Sequence, residues 1–397
     1  LAMSEDLNPR DEKNLSESIK MAAAAKMPLL VSGAGSKSRI GRPNGYATSV
    51  STQRMQGISI YEPTELVIGA LSGTPLSEIN ETLATQNQML PFEPMDYRPI
   101  LGGCHEPTIG GIAAGNVSGP RRIMAGACRD SLIGIRLVNG CGDVVKSGGR
   151  VMKNVTGLDL VKLNCGAWGT LGVFSEVIFK VLPKPDYASS LVLRGLSDAT
   201  AIAALTTALG SPFSVSAAAH LPKGVVSEPL TIIRIEGFAP SVAYGCGEIA
   251  KLWRPYGKAD LLEGEVSAAI WSDVRDARWL ADAAESAIWR LSLAPSKAPG
   301  TVAHIKRVLD ARHFYDWGGG LVWLAVDAPG DAGSKVIRDA MRGLGGHATL
   351  LRAPPEVRSK VDIFDLLPPS LADLTRRIKF AFDPDRILNF GKMYSGI

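Results

Sequence analysis

Apolar residues recur at helical spacing between Asn14 and Lys26, where Leu15, Ile19, Ala22 and Ala23 stand at i, i+4, i+7 and i+8. This predicts an amphipathic helix. The period then breaks: after Pro28 the run Leu29-Leu30-Val31 reads as a short buried strand that empties into Ser32-Gly33-Ala34-Gly35-Ser36-Lys37-Ser38. Ile58–Tyr61 and Leu66–Leu71 predict two strands separated by a Glu62-Pro63-Thr64 turn. Thr74-Pro75 predicts a helix start, with Thr as N-cap and Pro in the first turn, and Leu76, Ile79 and Leu83 form its core face. Asn139-Gly140-Cys141-Gly142 between Ser131–Val138 and Asp143–Lys146 is a hairpin signal, and Phe174–Val181 alternates like a strand.

Leu182-Pro183-Lys184-Pro185 reads as a domain boundary, beyond which the texture changes. Leu191–Leu193, Leu230–Ile235 and Leu321–Leu324 predict strands, whereas Asp198–Leu209, Val242–Trp253 and Val336–Leu344 predict helices. That alternation suits a small α+β unit with an antiparallel sheet. Leu371 to the end predicts a helix with Leu374, Ile378 and Ala381 on its apolar side, then a docked tail after Asp383-Pro384.

At 397 residues the chain has room for two or three cores. The 42 glycines matter because they cluster between Gly102 and Gly172. A formal net charge of +4 with no Lys/Arg run argues against nucleic acid as a partner. The five cysteines, at 104, 128, 141, 165 and 246, include no C-x-x-C pair, which speaks for reduced thiols and against a zinc or iron–sulfur site in this chain. No run approaches 18 apolar residues, so neither a signal segment nor a membrane span is expected, and a cytoplasmic location is.

The loop at 32–38 is the first candidate for chemistry. Its glycines let successive N–H groups turn inward as an anion nest suited to a pyrophosphate. Three readings stand side by side. A Rossmann fingerprint would need a third glycine where Ser38 stands and an acidic residue near Gln53-Arg54-Met55. A Walker A loop would need glycines where Ser36 and Val31 stand. The third reading is an ordinary strand-to-turn connection. Leu101–Pro120, LGGCHEPTIGGIAAGNVSGP, holds six glycines and is expected to pack as an irregular segment that lets backbone approach a flat or charged ligand, with Arg121-Arg122 beyond it to offset phosphate charge.

Taken in order, PLLVSGAGSKS, YEPTEL, TIGGIAAGNVSGPRR, GACRDSLIGIRLVNG, KNVTGLDL, GAWGTLGV and FDPDRILNFGKMY resemble the FAD-binding domain of the vanillyl-alcohol oxidase and p-cresol methylhydroxylase (PCMH-type) superfamily. The matches cover residues 10–185 and 376–394. Within it, SGPRR at 118–122, WRLSLAP at 289–295, YDWGGGLVWL at 315–324 and GHATLLRAP at 346–354 resemble the family of smaller FAD-binding subunits of bacterial glycolate oxidases. The resemblance implies an α+β fold: a PCMH-type FAD-binding domain of two α+β subdomains over residues 1–185. A small α+β cap with an antiparallel sheet would cover 186–365, and a C-terminal segment, 366–397, would return to the FAD domain. It implies that Ser32, Gly33, Ala34, Gly35, Ser36 and Lys37 hold the FAD pyrophosphate. Thr108, Gly110, Gly111, Asn116, Ser118 and Gly119 would line phosphates and flavin, Gly126 and Val173 would back the ribityl and adenine side, and Asn389 would return to the flavin.

The resemblance further implies oxidation of a small 2-hydroxy acid, with a larger FAD-binding catalytic chain and an iron–sulfur chain as partners, and peripheral placement at an inner membrane through them. Covalently flavinylated relatives carry a His at or after the first loop. Here there is none, and Cys104 and His105 do not stand at a matching position, so noncovalent FAD is expected. Relatives acting on 2-hydroxy acids place a metal-binding His pair over the flavin. His105, His220, His304, His313 and His347 show no such spacing, with His304 and His313 on either side of a predicted helix, so no metal is expected and no catalytic residue is assigned. Arg234 and Arg290 are open to two readings, carboxylate ligands or structural ion-pair partners. A non-catalytic flavin relay or scaffold and a stand-alone oxidase of another small hydroxy acid or alcohol remain the alternatives. At least one of Trp271, Trp279, Trp289 and Trp317 is expected to be exposed as a partner anchor.

Overall fold

A computed structural model describes residues 6–43, 45–46, 48–149, 158–282, 286–327 and 330–397. Of KNVTGLDL, Lys153–Gly157 lie outside these residues. Helix α1, Glu12–Ala24, is capped by Asp11, whose side chain accepts from Asn14 N–H at 2.7 Å, and it buries Leu15, Ile19 and Ala22. Strand β1, Leu29–Ser32, pairs in parallel with β2, Thr48–Ser51, and Asp6–Leu7 adds a short third strand outside β2.

A five-stranded antiparallel sheet follows. Its members are β3 (Ile58–Glu62), β4 (Val67–Leu71), β5 (Leu132–Val138), β6 (Val144–Gly148) and β7 (Val173–Lys180), in the order β3-β4-β7-β5-β6. The expected hairpin joins β5 and β6. Helix α2, Leu76–Ala84, buries Leu76, Ile79 and Leu83 as its pattern requires. Its N-cap position, however, is Pro75 and lacks a side-chain cap. Thr74, fully buried, instead accepts from Gly57 N–H at 3.0 Å and donates to Leu71 O at 2.7 Å, so it ties two strands together rather than capping the helix.

Gln88–Met89 and Leu182–Pro183 pair as a short antiparallel ribbon, and the other strands are β8 (Tyr187–Arg194), β9 (Val215–Leu221), β10 (Leu230–Gly237), β11 (Asp260–Glu263), β12 (Ala287–Ser292), β13 (Ala311–Asp316), β14 (Leu321–Val326) and β15 (His347–Arg352). Strands β8 to β15 form one eight-stranded antiparallel sheet in the order β11-β8-β10-β9-β13-β14-β12-β15. Alternation assigns its two faces. Ile232, Ile288, Phe314, Trp323 and Leu351 share a core with the five-stranded sheet, α2 and the glycine-rich stretch. Ile233, Trp289, Tyr315, Leu324 and Leu350 pack under helices α5 (Asp198–Leu209), α6 (Ala239–Leu252), α8 (Ala298–Lys306) and α9 (Ser334–Met341), with α7 (Gly264–Arg275) on the other side. His304 lies within α8 and His313 in β13. The expectation that at least one of four tryptophans is exposed is not met: Trp271, Trp289 and Trp317 are buried, and Trp279 is half-buried against Phe314, because aromatic bulk fills both faces of this sheet.

Helix α10, Pro369–Phe382, departs further from its pattern. Leu374 and Ala381 are exposed, and the buried residue is Lys379. Its ammonium donates to Asp383 at 2.7 Å, Thr170 O at 2.7 Å and Leu388 O at 2.8 Å, so the helix is anchored by a fully bonded cation. The tail beyond docks as expected. Ile387 and Leu388 are buried with Leu15, Leu29, Val50 and Val173, and Leu29 N–H donates to Ile387 O at 2.7 Å.

Candidate functional site

The site grows from the loop after β1. Among the described residues, the N–H groups of Gly33 to Lys37 donate to no protein group, while Ser38 N–H closes the turn onto Gly35 O at 3.0 Å. Gly35 takes φ 85°, a left-handed value that turns the amide row inward. Opposite lies helix α3, Ile109–Gly115, inside the stretch expected to be irregular. Its glycines serve close approach instead of disorder. Thr108 caps it by accepting from Gly111 N–H at 3.3 Å, and a Cβ on Gly33 would overlap Thr108 Oγ1, while one on Gly110 would strike Ser72.

Between them lies a half-open pocket. Ser32 through Lys37, Thr108, Gly110, Gly111 and Val173 line it together. It also takes in residues that pattern reading passed over: Ser72, Trp168, Gly169 and Lys392. Trp168 sits at φ 54° with its N–H on Ala114 O at 2.9 Å, and Lys392 arrives from the tail. Their signal was present only as a glycine-flanked Trp and a lysine near the end of the chain.

The pocket's electrostatics point to an anion. Burial pushes the Lys37 ammonium down to about 8, with Lys392 adding and Asp96 opposing. Burial brings Lys392 to about 8 as well, and Arg358 adds to it. Neither lysine meets a carboxylate within ion-pair distance among the described residues. Ser72 Oγ is buried without a partner at the same wall. Unpaired buried cations and an idle amide row are costly unless an anion joins them. These donors fit a diphosphate-bearing cofactor.

Other expected residues lie outside the lining and hold its frame. Asn116, at φ 48°, ends α3 and accepts from Arg129 N–H at 3.0 Å; Ser118 Oγ accepts from Cys128 N–H at 2.9 Å. Gly119 abuts Glu93, and Gly126, at φ 81°, abuts Asp130. Asn389 bonds to Val31 and Trp168, behind the pocket. Arg121 and Arg122 are not at the nest. Arg121 pairs with Glu236 and Arg122 lies over the Trp317 ring. Arg234 is the ion-pair partner of Glu93, at 2.9 and 2.8 Å. None of the five histidines lines the pocket: His105 and His304 are exposed, and His220 and His313 converge on Asp198, with His313 Nε2 2.8 Å from its Oδ2.

The fold is of the PCMH type, and the family matches make the chain a flavoprotein. Residues 6–148 match the model of the family described as FAD binding domain, and the chain aligns with p-cresol methylhydroxylase at TM-score 0.69, covering 98% of this chain and 88% of that one at 14% identity. Along nearly its whole length it is 34% identical, over 383 residues, to glycolate oxidase subunit GlcE of Escherichia coli, covering 96% of this chain and 97% of the relative. It therefore belongs to the glycolate oxidase GlcE family of FAD-binding oxidoreductase subunits. A D-lactate dehydrogenase of Anaerostipes hadrus is 30% identical over 176 residues, 44% of this chain and 35% of that one.

Proposed function

We propose that the chain carries FAD noncovalently in this pocket, as one subunit of a complex that oxidises glycolate or a similar small 2-hydroxy acid. A larger FAD-binding chain and an iron–sulfur chain would be its partners, and they would hold it at a membrane face. Among the described residues no helix is long and apolar enough to cross a membrane. The observation that carries the reading is the convergence of the free amides of residues 33–37 with Lys37 and Lys392 on one pocket, in a chain similar to a glycolate oxidase subunit from end to end. Ser32 to Lys37 and Lys392 hold the diphosphate. Thr108, Gly110, Gly111, Val173 and Trp168 shape the wall, and Asn116, Ser118, Gly119, Gly126 and Asn389 position the loops. FAD, when bound, supplies the acceptor for hydride from the carbinol carbon. The division into an FAD-binding part to residue 185, a cap over 186–365 and a returning segment from 366 follows the two antiparallel sheets and the docked tail.

A second reading, a flavin relay without its own substrate chemistry, is favoured by the histidines. Two of them sit with Asp198 under α5, away from the pocket. An anaerobic visible spectrum of the purified chain before and after glycolate decides. Flavin that bleaches supports a dehydrogenase acting by itself, and flavin that stays oxidised supports the relay. A chain that retains no added FAD overturns both.

A further inference from the structure

Trp317, just past the end of β13, occupies a left-handed backbone position, φ 53°. For a bulky residue such a position is unfavourable and marks a conformation imposed by its surroundings. Its N–H donates to Asp316 Oδ1 at 2.6 Å and its indole Nε1 donates to Gly119 O at 3.0 Å. The ring is thus fixed at the seam between the glycine-rich stretch and the eight-stranded sheet.

Two guanidinium groups lie over that ring, Arg122 at 4.4 Å and Arg290 at 5.1 Å from its centre. Arg122 comes from the short helix α4 (Arg122–Ala125) of the flavin-binding half. Arg290 comes from β12, in register with Trp323 and Thr349, on the sheet face shared with Ile288 that looks toward that half. Among the described residues neither guanidinium forms an ion pair or donates a hydrogen bond to a protein group. Two buried arginines nearby behave differently: Arg121 has Glu236 and Arg234 has Glu93. Burial and then the charge of Arg290 push Arg122 below its ordinary value, and burial, Arg290 and Arg122 do the same to His347. Asp316, the neighbouring acid, already accepts from Trp317 N–H and pairs with neither arginine. A seam that gathers two half-buried cations with no carboxylate in ion-pair contact with either is complementary to an incoming anion.

We infer that Arg122 and Arg290, seated on Trp317, form a subsite for the carboxylate of a small organic acid. The guanidinium fork matches a carboxylate, and the indole offers an apolar wall to the rest of the acid. The choice of a carboxylate rests on the 2-hydroxy-acid reading above.

The test is calorimetric titration of the purified full chain with oxalate, which has no hydride to give, against inorganic phosphate at equal ionic strength. Oxalate is expected to bind, Arg122→Gln and Arg290→Gln each to weaken it at least tenfold, and Arg290→Lys to recover part of the loss. Flavin content and melting temperature, read on the same samples, are expected to hold. Wild type that ignores oxalate, Gln variants that bind it as well as wild type, or phosphate that binds as tightly would overturn the subsite. Loss of flavin by wild type would instead count against the FAD reading, and the oxalate titration would still judge the arginines.

Discussion

Asn389 bonds to both backbone groups of Val31, 358 positions earlier in the chain: its Oδ1 accepts from Val31 N–H at 2.9 Å and its Nδ2 donates to Val31 O at 3.2 Å. The same amide nitrogen donates to Trp168 O at 2.8 Å. One buried side chain therefore ties the nest strand, the second glycine loop and the tail. Asn389→Ala leaves these backbone groups unpaired and is expected to destabilise the fold by about 2–3 kcal/mol. Urea unfolding with an unchanged slope would show it, and FAD affinity is expected to fall as the nest loosens.

The two pocket lysines predict a pH dependence. With folded values near 8, against about 10.5 unperturbed, they lose protons earlier in the empty folded chain than in the unfolded one. The empty chain is therefore penalised below about pH 8, and the penalty lifts as pH rises toward 10.5. A bound diphosphate favours the charged form, so FAD affinity is expected to decline as pH climbs above about 8. Flavin titrations between pH 7 and 9.5 would show the decline, and a Lys37→Met, Lys392→Met double variant would bind weakly with a flat profile.

Gly35 has no heavy atom within 4 Å of where a Cβ would point, so the space beyond it is pocket. Gly35→Asp sends a carboxylate toward the expected diphosphate and strains a left-handed position. At least a hundredfold loss of FAD affinity is expected, with a melting temperature close to wild type. Retention of flavin at wild-type affinity would remove this loop as the cradle.

Glu93 bridges the halves of the molecule. It sits at φ 42°, grips Arg234 with both oxygens and accepts from Arg121 N–H at 3.1 Å. Burial alone would raise its pKa, but Arg234 and Arg121 hold it below the usual carboxylate range. Glu93→Gln strands Arg234 beside Glu236 alone and is expected to cost about 3 kcal/mol. The same carboxylate predicts that stability falls as acid protonates it, below the ordinary Glu range. Thermal melts of both proteins from pH 7 to pH 3 would show the difference between them shrinking.

Much of this was legible in the chain. Period and punctuation located α1, α2, α5, the β5–β6 hairpin and the nest loop, because each depends on neighbours a few residues away. Helix α3 was missed because its glycines look irregular in sequence, yet they are there so that Ser72 and Thr108 can come close. The apolar side of α10 misled because the helix is held by Lys379 and three acceptors contributed from elsewhere.

By itself the sequence determined helices such as α1, α2 and α5 and the β5–β6 hairpin, that one loop could nest an anion, and which family the chain resembles. Only tertiary structure decided that Lys392, Trp168 and Ser72 join that loop, that Asn389 stands behind it, and that Arg122 meets Arg290 on one indole. The physical reason is separation: a pocket's charge balance is set by groups far apart in the chain. Whether a buried cation has a partner appears only once the sheets have packed.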